Sequence, residues 1–415
     1  MSKTAPDTAP DTAPDTAPDT APDTAPDTAP NTTTTPATAA PIAKPRPHPR
    51  LFQHPLMGSD LRTLLTLFLK NGFGRYPFHF IALVAVALLR WPFSTYEQWR
   101  VSHYPNDSLN AEQKPPIFIL GHWRSGTTFL YNVLSRSPQF AYLKPIATGL
   151  PWDFLTIGKA LEPLLHKALP EGRFIDNVPV KPDSPQEDEI ALASMQTLSF
   201  YHGLYFPKRF VEYFNAGIFL EGASPREIRR WEQTLSHFYK KLHIQDPGKQ
   251  LLIKNPVYTA RVAQLRKLYP NAKFIHIYRN PYRVFQSTEN FYRKLFPEIA
   301  FQSFYQVPIR EVILSSYPKM IDALYKDVAN LPKDRFIEFK FETFEADPIA
   351  QLHTIYDQLN LSNWDTDKLH FQAYLLEQKN YKKNQYAFSQ ESVELVGDRW
   401  QPFLSRWQYQ HPNER

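Results

Sequence analysis

The sequence predicts an α/β protein with a parallel sheet flanked by helices and a disordered N-terminal tail. From residue 115 onward, short apolar runs alternate with helical patterns, which is typical of a parallel sheet. The tail is predicted from composition, because 12 of the 39 prolines lie in the first 50 residues, which hold almost no large apolar side chain. We therefore divide the chain into a tail (1–50), a helical appendage (51–110) and a main domain (111–400).

The tail begins with seven consecutive Thr-Ala-Pro-Asp or Thr-Ala-Pro-Asn tetrads over residues 4–31. Proline at every fourth position favours extended, solvated backbone. We interpret this segment as a solvated tail, with a spacer or surface-display role as the alternative. It lacks the apolar core of a secretory signal, so a cytoplasmic location is the expectation.

Charge and cysteine content narrow the function classes. Net charge is +6, and the first 50 residues hold six aspartates against four basic residues, so the folded part is more basic than the whole. A basic domain suits an anionic partner such as a nucleotide, an acidic lipid or a nucleic acid. This chain has no cysteine, which excludes a disulfide scaffold, a thiolate zinc site, an iron–sulfur cluster and a cysteine nucleophile.

The appendage carries two apolar segments between residues 61 and 93. Leucine and phenylalanine recur at helical spacing in the first segment, and the second runs from Phe78 to Leu89 with only His79 polar. Its 12 residues fall short of the roughly 20 that a membrane-spanning helix needs. The alternatives are a buried helical hairpin and peripheral membrane contact through residues 61–93, with Trp91 at the interface.

Four strands are predicted in the main domain, each with a helix behind it. The strands are Ile117–Leu120, Leu251–Ile253, Phe274–Tyr278 and Phe336–Phe339. The helices are Thr128–Ser135, Thr259–Leu268, a segment through Gln286 and Asn290, and residues 348–359. Ligands of parallel sheets gather at the carboxyl ends of the strands, so we expect the chemistry there.

The first of these strand ends carries the octad Gly121-His122-Trp123-Arg124-Ser125-Gly126-Thr127-Thr128. Its glycine spacing matches the phosphate-binding loop G-x-x-x-x-G-K-[ST], in which backbone amides and a helix N-terminus hold an oxyanion. Thr127 stands where that pattern has the lysine that contacts the β- and γ-phosphates, which argues against triphosphate chemistry. Arg124 supplies a cation within the turn instead.

The octad resembles the 5′-phosphosulfate loop of sulfotransferases that use 3′-phosphoadenosine 5′-phosphosulfate (PAPS). It is most similar to the bacterial branch that reads Pro-Arg-Ser-Gly-Thr-Thr, with Trp123 at the usual proline position. The resemblance implies a fold of the P-loop nucleotide-kinase type over roughly residues 115–390. It also implies that the donor-binding residues are Gly121, Arg124, Ser125, Gly126, Thr127 and Thr128.

Two later motifs resemble other parts of the family's site. Arg279-Asn280-Pro281, followed by Ser287, resembles the 3′-phosphate site, where an arginine and a serine share one phosphate. Lys254, in Leu252-Ile253-Lys254-Asn255-Pro256, resembles the lysine of a K-[DS]-P stretch that reaches the reaction centre. It would stabilise the leaving oxygen together with Arg124. Ordinary surface ion pairs for Arg279 and Lys254 are the alternatives.

The acceptor must lose a proton, so the site needs a general base. Glu187 is the provisional base, within an acidic cluster with Asp188 and Glu189 that has counterparts in the bacterial relatives. The alternative is that Ser184-Pro185-Gln186-Glu187 is only a capping box, a pattern that recurs at 224–227. His202 is the other candidate base, because cytosolic relatives use a histidine.

The resemblance therefore implies a PAPS-dependent sulfotransferase that moves the sulfonate group to a hydroxyl, or less readily an amine, by in-line displacement and without a metal. The expected partner is a small-molecule, glycan or lipid acceptor rather than nucleic acid. Aromatic residues of the region 140–250 suit an apolar or sugar acceptor or simple core packing: Trp152, Phe154, Phe200, Tyr201, Tyr205 and Phe206. Residues 381–384 resemble a basic loop that closes over the nucleotide. A nucleotide kinase and a non-catalytic membrane adaptor are the alternative functions.

Overall fold

The computed structural model describes residues 54–74, 77–105, 114–161, 163, 181–378 and 388–412. The predicted tail (1–50) and the basic segment 381–384 lie outside these described residues.

The described part of the chain is built on a sheet of five parallel strands in the order β2-β3-β1-β4-β5. The strands are β1 (Ile117–Leu120), β2 (Phe140–Ala141), β3 (Gln250–Lys254), β4 (Lys273–Tyr278) and β5 (Phe336–Lys340). The predicted parallel sheet and its four strands are confirmed, and β2 was not predicted. Ile119 pairs with Lys254 on one side and Ile275 on the other, so the ends of β3, β1 and β4 meet at one edge.

Both faces of the sheet are covered at its central strand, which explains why β1 is apolar throughout. Phe118 and Leu120 point into one apolar cluster, whereas Ile117 and Ile119 point into a second cluster on the other face. All four side chains of β1 are fully buried. Alternation of side chains across a strand buried on both sides produces this continuous apolar run.

Helices surround the sheet. In chain order they are α1 (Leu61–Asn71), α2 (Pro77–Ser102), α3 (Thr127–Leu134), α4 (Pro145–Gly149), α5 (Asp188–Met195), α6 (Tyr201–Tyr205), α7 (Phe210–Phe219), α8 (Pro225–Gln245), α9 (Val262–Leu268), α10 (Pro281–Ile299), α11 (Ile309–Val328), α12 (Phe341–Ala346), α13 (Pro348–Gln358), α14 (Trp364–Glu377), α15 (Gln390–Arg399) and α16 (Gln401–Arg406). A π-helical turn lies at Phe154–Gly158, and 3-10 turns lie at Pro55–Gly58, Pro207–Arg209, Pro256–Ala260 and Lys333–Arg335. The helices α3, α13 and α14 cover one face of the sheet, and α5 to α11 contribute to the cluster on the other.

The two predicted capping boxes have different outcomes. At α8, the Ser224 hydroxyl accepts the Glu227 N–H and the Glu227 carboxylate accepts the Ser224 N–H, so the capping box is confirmed. The prediction at 184–187 is wrong, because Ser184 Oγ accepts instead from the backbone N–H of Lys181. As a result α5 begins only at Asp188, with Glu187 at its N-cap and no capping bond from its side chain.

The second apolar segment is longer than predicted. Pro92 lies inside α2, a helix of 26 residues that is long and apolar enough, by length and composition, to cross a membrane. One side of α2 is nevertheless bound to the rest of the chain by two buried ion pairs. Arg90 contacts Asp153, and Glu97 contacts Lys241 at 2.7 Å. The other side of α2 carries exposed, mostly apolar side chains: Phe78, Ile81, Leu88, Leu89, Trp91, Phe93, Tyr96 and Trp99.

Candidate active site

The loop between β1 and α3 lies at the centre of the sheet's carboxyl edge. It leaves β1 at Gly121, whose backbone N–H donates to Thr259 Oγ1 at 2.9 Å. Gly121 has φ 145°, and an added Cβ would lie 2.5 Å from the carbonyl oxygen of Ile277 on β4. The turn closes with a hydrogen bond of 3.2 Å from Ser125 N–H to the His122 carbonyl.

Gly126 connects the loop to α3 and requires glycine for two reasons. It has φ 100° at the N-cap, a left-handed conformation that costs little only for glycine. An added Cβ would also lie 2.1 Å from the ring of Phe341, the residue that follows β5. The α3 N-terminus therefore presents its first amides at the edge of the sheet, as an oxyanion-binding loop requires.

Arg124 links the two phosphate motifs. Its backbone is left-handed, with φ 71°, an uncommon conformation for a non-glycine residue and one that concentrates at functional sites. Its Nε donates to Ser287 Oγ on α10 at 2.9 Å. The arginine of the predicted 5′-phosphosulfate loop and the serine of the predicted 3′-phosphate site are thus in direct contact.

The loop also holds a buried polar group that has no hydrogen-bond partner in the described part of the chain. Ser125 is 2% exposed, and its hydroxyl has no hydrogen-bond partner among the described residues. Buried hydroxyls are normally bonded, because leaving one unpaired costs about 1–3 kcal/mol. A hydroxyl next to Arg124 and the first amides of α3 fits an anionic ligand.

Arg279 follows the end of β4, beside this loop. Its guanidinium lies over the ring of Phe341 at 4.4 Å, and its Nε has no hydrogen-bond partner among the described residues. Burial lowers the pKa of Arg279, the carboxylates of Glu342 and Glu345 partly oppose this shift, and the neighbouring arginines Arg283 and Arg124 add to it. A partly buried guanidinium whose Nε lacks a hydrogen-bond partner among the described residues is suited to a phosphate. Asn280 caps α10 with its side chain, which fixes the turn after Arg279.

Lys254 and Glu187 form an ion pair on the other side of the loop. Lys254 ends β3, and its Nζ contacts Glu187 Oε1 and donates to Thr128 Oγ1 at 3.3 Å. The Lys254 side chain is 2% exposed and that of Glu187 is 13% exposed. The candidate base and the candidate cation are therefore adjacent, and Lys254 also contacts the first turn of α3.

The rest of the acidic cluster points away from the loop. Asp188 accepts hydrogen bonds from Tyr239 at 2.6 Å, from Tyr258, and from Asn255 at 2.9 Å. Burial raises the pKa of Asp188 to about 6. These contacts place the carboxylate within the protein interior rather than at the site.

Glu189 is similarly enclosed. It accepts from Ser199 Oγ at 2.6 Å and from Asn255 Nδ2 at 3.1 Å, and burial raises its pKa to about 7. Asn255 thus holds the two residues after Glu187 while itself following Lys254. The buried hydrogen bonds of Asn255 fix the positions of both partners of the Lys254–Glu187 pair.

His202 is enclosed on both sides of its ring. Its Nε2 lies 2.8 Å from the carbonyl of Ala193, its Nδ1 lies 3.1 Å from the carbonyl of Thr197, and the residue is fully buried. Burial lowers its pKa to about 4. The structure therefore places His202 in a structural position, apart from the Lys254–Glu187 pair.

Sequence reasoning missed three residues of this region: Phe341, Thr259 and Asn255. Phe341 fills the space that Gly126 leaves and supports Arg279. Its only sequence signal was its position directly after β5. The aromatic residues of 140–250 are mostly core: Phe154, Phe200, Tyr201, Tyr205 and Phe206 are all buried. In the described part of the chain, no cluster of three His, Asp or Glu is placed to hold a metal ion.

A parallel α/β sheet with a glycine-bounded loop after its central strand, and cations at three neighbouring strand ends, is typical of proteins that bind a phosphorylated ligand at this edge. The sequence profile of the sulfotransferase family matches residues 115–366. The chain belongs to this family and is a sulfotransferase. The match favours this function over the nucleotide kinase and the membrane adaptor.

Individual relatives agree with the family match. The chain is 30% identical over 295 residues to the omega-hydroxy-beta-dihydromenaquinone-9 sulfotransferases Stf3 of Mycobacterium bovis and Mycobacterium tuberculosis, covering 71% of this chain and 75% of theirs. The fold is similar to the crystal structure of sulfotransferase STF9 from Mycobacterium avium, with a TM-score of 0.62, 14% identity, and 88% of this chain and 93% of that chain covered. It is also similar to STF1 from Mycobacterium tuberculosis, with a TM-score of 0.57, 16% identity, and coverage of 81% and 90%.

Proposed function

We propose that this chain transfers the sulfonate group of PAPS to the hydroxyl of an apolar acceptor. The observation that carries the proposal is the contact between Arg124 and Ser287, which joins the two predicted phosphate motifs beside the unpartnered Ser125 hydroxyl. A donor with phosphate groups at both the 5′ and 3′ positions suits two adjoining anion sites better than a simple triphosphate does.

The residues of the loop fit such a donor. Ser125, Gly126, Thr127 and Thr128, together with Gly121 at the start of the turn, would hold the 5′-phosphosulfate through backbone amides and hydroxyls. Arg279 and Ser287 would hold the 3′-phosphate, because Arg279 Nε has no hydrogen-bond partner among the described residues and Ser287 accepts a hydrogen bond from Arg124. PAPS supplies a sulfonate bonded to a phosphate leaving group.

The ion pair beside the loop has the groups that the transfer needs. We assign proton removal from the acceptor hydroxyl to Glu187, because it is the partly exposed carboxylate of the acidic cluster. Lys254 orients Glu187 and, with Arg124, stabilises negative charge that develops on the leaving oxygen. The new bond joins the acceptor oxygen to sulfur, the bond from sulfur to the 5′-phosphate oxygen breaks, and the hydroxyl proton passes to Glu187.

We propose a lipid-like acceptor with a hydroxyl group. One support is the similarity to enzymes named as sulfotransferases of a hydroxylated menaquinone derivative. The second is the exposed apolar side of α2, which suits peripheral contact of residues 61–93 with a membrane. A spanning orientation is disfavoured, because it would break the buried ion pairs of Arg90 and Glu97. The proposed location is the cytoplasmic surface of a membrane.

Calorimetric titration with the desulfonated product, 3′-phosphoadenosine 5′-phosphate, tests the donor. Micromolar binding without metal is expected. Arg279→Ala should weaken it by roughly 10- to 100-fold, since a hydrogen bond to a charged group contributes about 1.5–3 kcal/mol. ATP with Mg²⁺ is the comparison ligand. Tight ATP–Mg²⁺ binding with no binding of the product would overturn the proposal.

Turnover assays of Arg124→Ala test the catalytic role that the proposal assigns to Arg124. Loss of a cation that stabilises developing charge should lower kcat by roughly 100-fold or more. Arg266→Ala is the matched control, because Arg266 lies on α9 and donates to the Asp327 carbonyl, outside the loop. A kcat equal to that of the unmodified chain in Arg124→Ala would exclude the assigned role.

A further inference from the structure

Four arginines line one groove between the first turns of α1 and α8. Arg62 comes from α1, and Arg226, Arg229 and Arg230 come from α8. The groove has a volume of about 410 Å³. These residues lie outside the candidate active site, and neither the loop nor the ion pair of Lys254 uses them.

In the described part of the chain, the arginine groove keeps an excess of positive charge over its neighbouring carboxylates Asp60 and Glu227. None of the four guanidinium groups has an ion pair with a described carboxylate. The two nearest acids serve as helix caps: Asp60 accepts the N–H of Arg62 at 3.1 Å, and Glu227 accepts the N–H of Ser224 at 2.8 Å. Burial lowers the pKa of Arg230 and repulsion by Arg62 lowers it further, the carboxylate of Asp60 opposes this shift in part, and repulsion by Arg226 adds to it. The groove therefore favours an anion.

The arginine groove continues into an exposed apolar stripe on the same face of α1. Leu65 and Leu69 follow Arg62 by three and seven residues, so the three side chains share one side of the helix. Leu69 is 78% exposed. Just beyond the end of α1, the ring of Phe73, which is 44% exposed, packs 4.8 Å from Phe80 at the start of α2.

We propose that the arginine groove binds the phosphate of an anionic phospholipid headgroup while the apolar sides of α1 and α2 rest in the same membrane. Charge complementarity selects an anionic lipid, and the adjoining exposed leucines select a membrane over a soluble polyanion. This inference rests on the membrane contact in the proposed function and adds its lipid specificity. It also fixes the orientation, since the groove and the apolar stripe must face the same surface.

Vesicle co-sedimentation of the full chain tests the inference. The probes are phosphatidylcholine vesicles and phosphatidylcholine vesicles with added phosphatidylglycerol. The double variant R226A/R229A should weaken binding to the anionic vesicles by roughly 30-fold, since each basic residue near such a surface contributes about fivefold. Its binding to neutral vesicles should not change.

The double variant K326A/K333A is the matched control, because it removes two exposed charges from α11 and from the turn after it. Equal losses of binding to anionic vesicles in the two double variants would overturn the proposal that the arginine groove is a specific lipid site. So would loss of oligonucleotide binding in R226A/R229A with vesicle binding unchanged. If the unmodified chain binds neither vesicle, the membrane contact itself fails. Unchanged titration of 3′-phosphoadenosine 5′-phosphate in R226A/R229A shows that the fold and the donor site are intact.

Discussion

At the scale of single residues, Gly126 matters both for the fold and for the candidate site, because its lack of a Cβ leaves room for the Phe341 ring and sets the start of α3. Gly126→Ala would place a methyl group into the Phe341 ring and force a left-handed alanine. We expect a loss of about 1–3 kcal/mol in the free energy of unfolding from overpacking. Binding of the desulfonated product should also weaken, because the α3 N-terminus must shift.

A double-mutant cycle separates the clash with the Phe341 ring from the strain of a left-handed alanine. Phe341→Ala removes the ring, so G126A/F341A should be more stable than the sum of the single changes predicts, by about 1–3 kcal/mol. Gly222→Ala is the control for backbone strain, because Gly222 also has a positive φ, of 75°, but an added Cβ meets nothing within 4 Å. Urea denaturation measures each variant, and strict additivity would contradict the clash.

Glu189 provides a prediction about pH. Burial raises its folded-state pKa to about 7 from an ordinary value of 4.5, so between these values the folded protein holds a proton that the unfolded chain has released. The free energy of unfolding should therefore fall as pH rises through this window. Glu189→Gln keeps the partners Ser199 and Asn255 but cannot titrate, so its stability should depend less on pH between about 5 and 7.

Denaturation at several pH values measures this difference in slope. Glu394→Gln on α15 is the matched control, because Glu394 is exposed and bonded only to Gln390 among the described residues. The control should keep the slope of the unmodified chain. An unchanged slope in Glu189→Gln would mean that Glu189 is already ionised in the folded protein throughout this range.

At the scale of elements, the two Ser-Pro-x-Glu segments show what a local motif can predict. Both have the same capping pattern, yet only Ser224 caps a helix, because Ser184 bonds Lys181 in the preceding turn. Ser224→Ala should therefore lower the free energy of unfolding by about 1 kcal/mol, whereas Ser184→Ala should change it by less than half as much. Thermal or urea unfolding of both variants tests this, and equal effects would contradict the structural difference.

Four of the five strands could be predicted from the sequence, whereas the shortest strand, β2, could not. β1 and β3 show continuous buried apolar residues, which indicates burial on both faces of the sheet. β4 includes the polar His276, and β5 alternates buried Ile337 and Phe339 with half-buried residues. β2 has two residues, too few to show any periodicity. The end of α2 was also misjudged, because Pro92 suggested a boundary that the helix passes through. Contacts of Arg90 and Glu97 on either side of that proline stabilise the continued helix.

The candidate site likewise has features that the sequence predicts and contacts that it does not. The loop, Arg279 and Ser287 follow strand ends or the next helix, so the topology brings them together once the sheet is known. The contacts between them, such as Arg124 with Ser287 and Lys254 with Glu187, join segments more than 60 residues apart in sequence. No local pattern shows such contacts, and the same holds for Phe341 against Gly126.

At the scale of the whole molecule, the exposed apolar side of α2 should determine how the enzyme reaches a lipid acceptor. Leu88 and Leu89 are 51% and 74% exposed, so L88S/L89S removes apolar surface without opening the core. Burial of a leucine side chain contributes about 1.5–3 kcal/mol, so binding to neutral vesicles should weaken by roughly tenfold or more. The free energy of unfolding and product binding should be unchanged.

Activity then separates membrane contact from catalysis. With the acceptor presented in vesicles, kcat/KM of L88S/L89S should fall in parallel with vesicle binding, whereas a short water-soluble alcohol acceptor should react as with the unmodified chain. L369S/L376S is the matched control, because Leu369 and Leu376 on α14 are 66% and 59% exposed but lie on a helix that packs on the other face of the sheet. Equal losses with both acceptors would place the defect in the active site. Equal losses in the control would make the effect one of general surface hydrophobicity, and either result would remove α2 as the membrane-binding element.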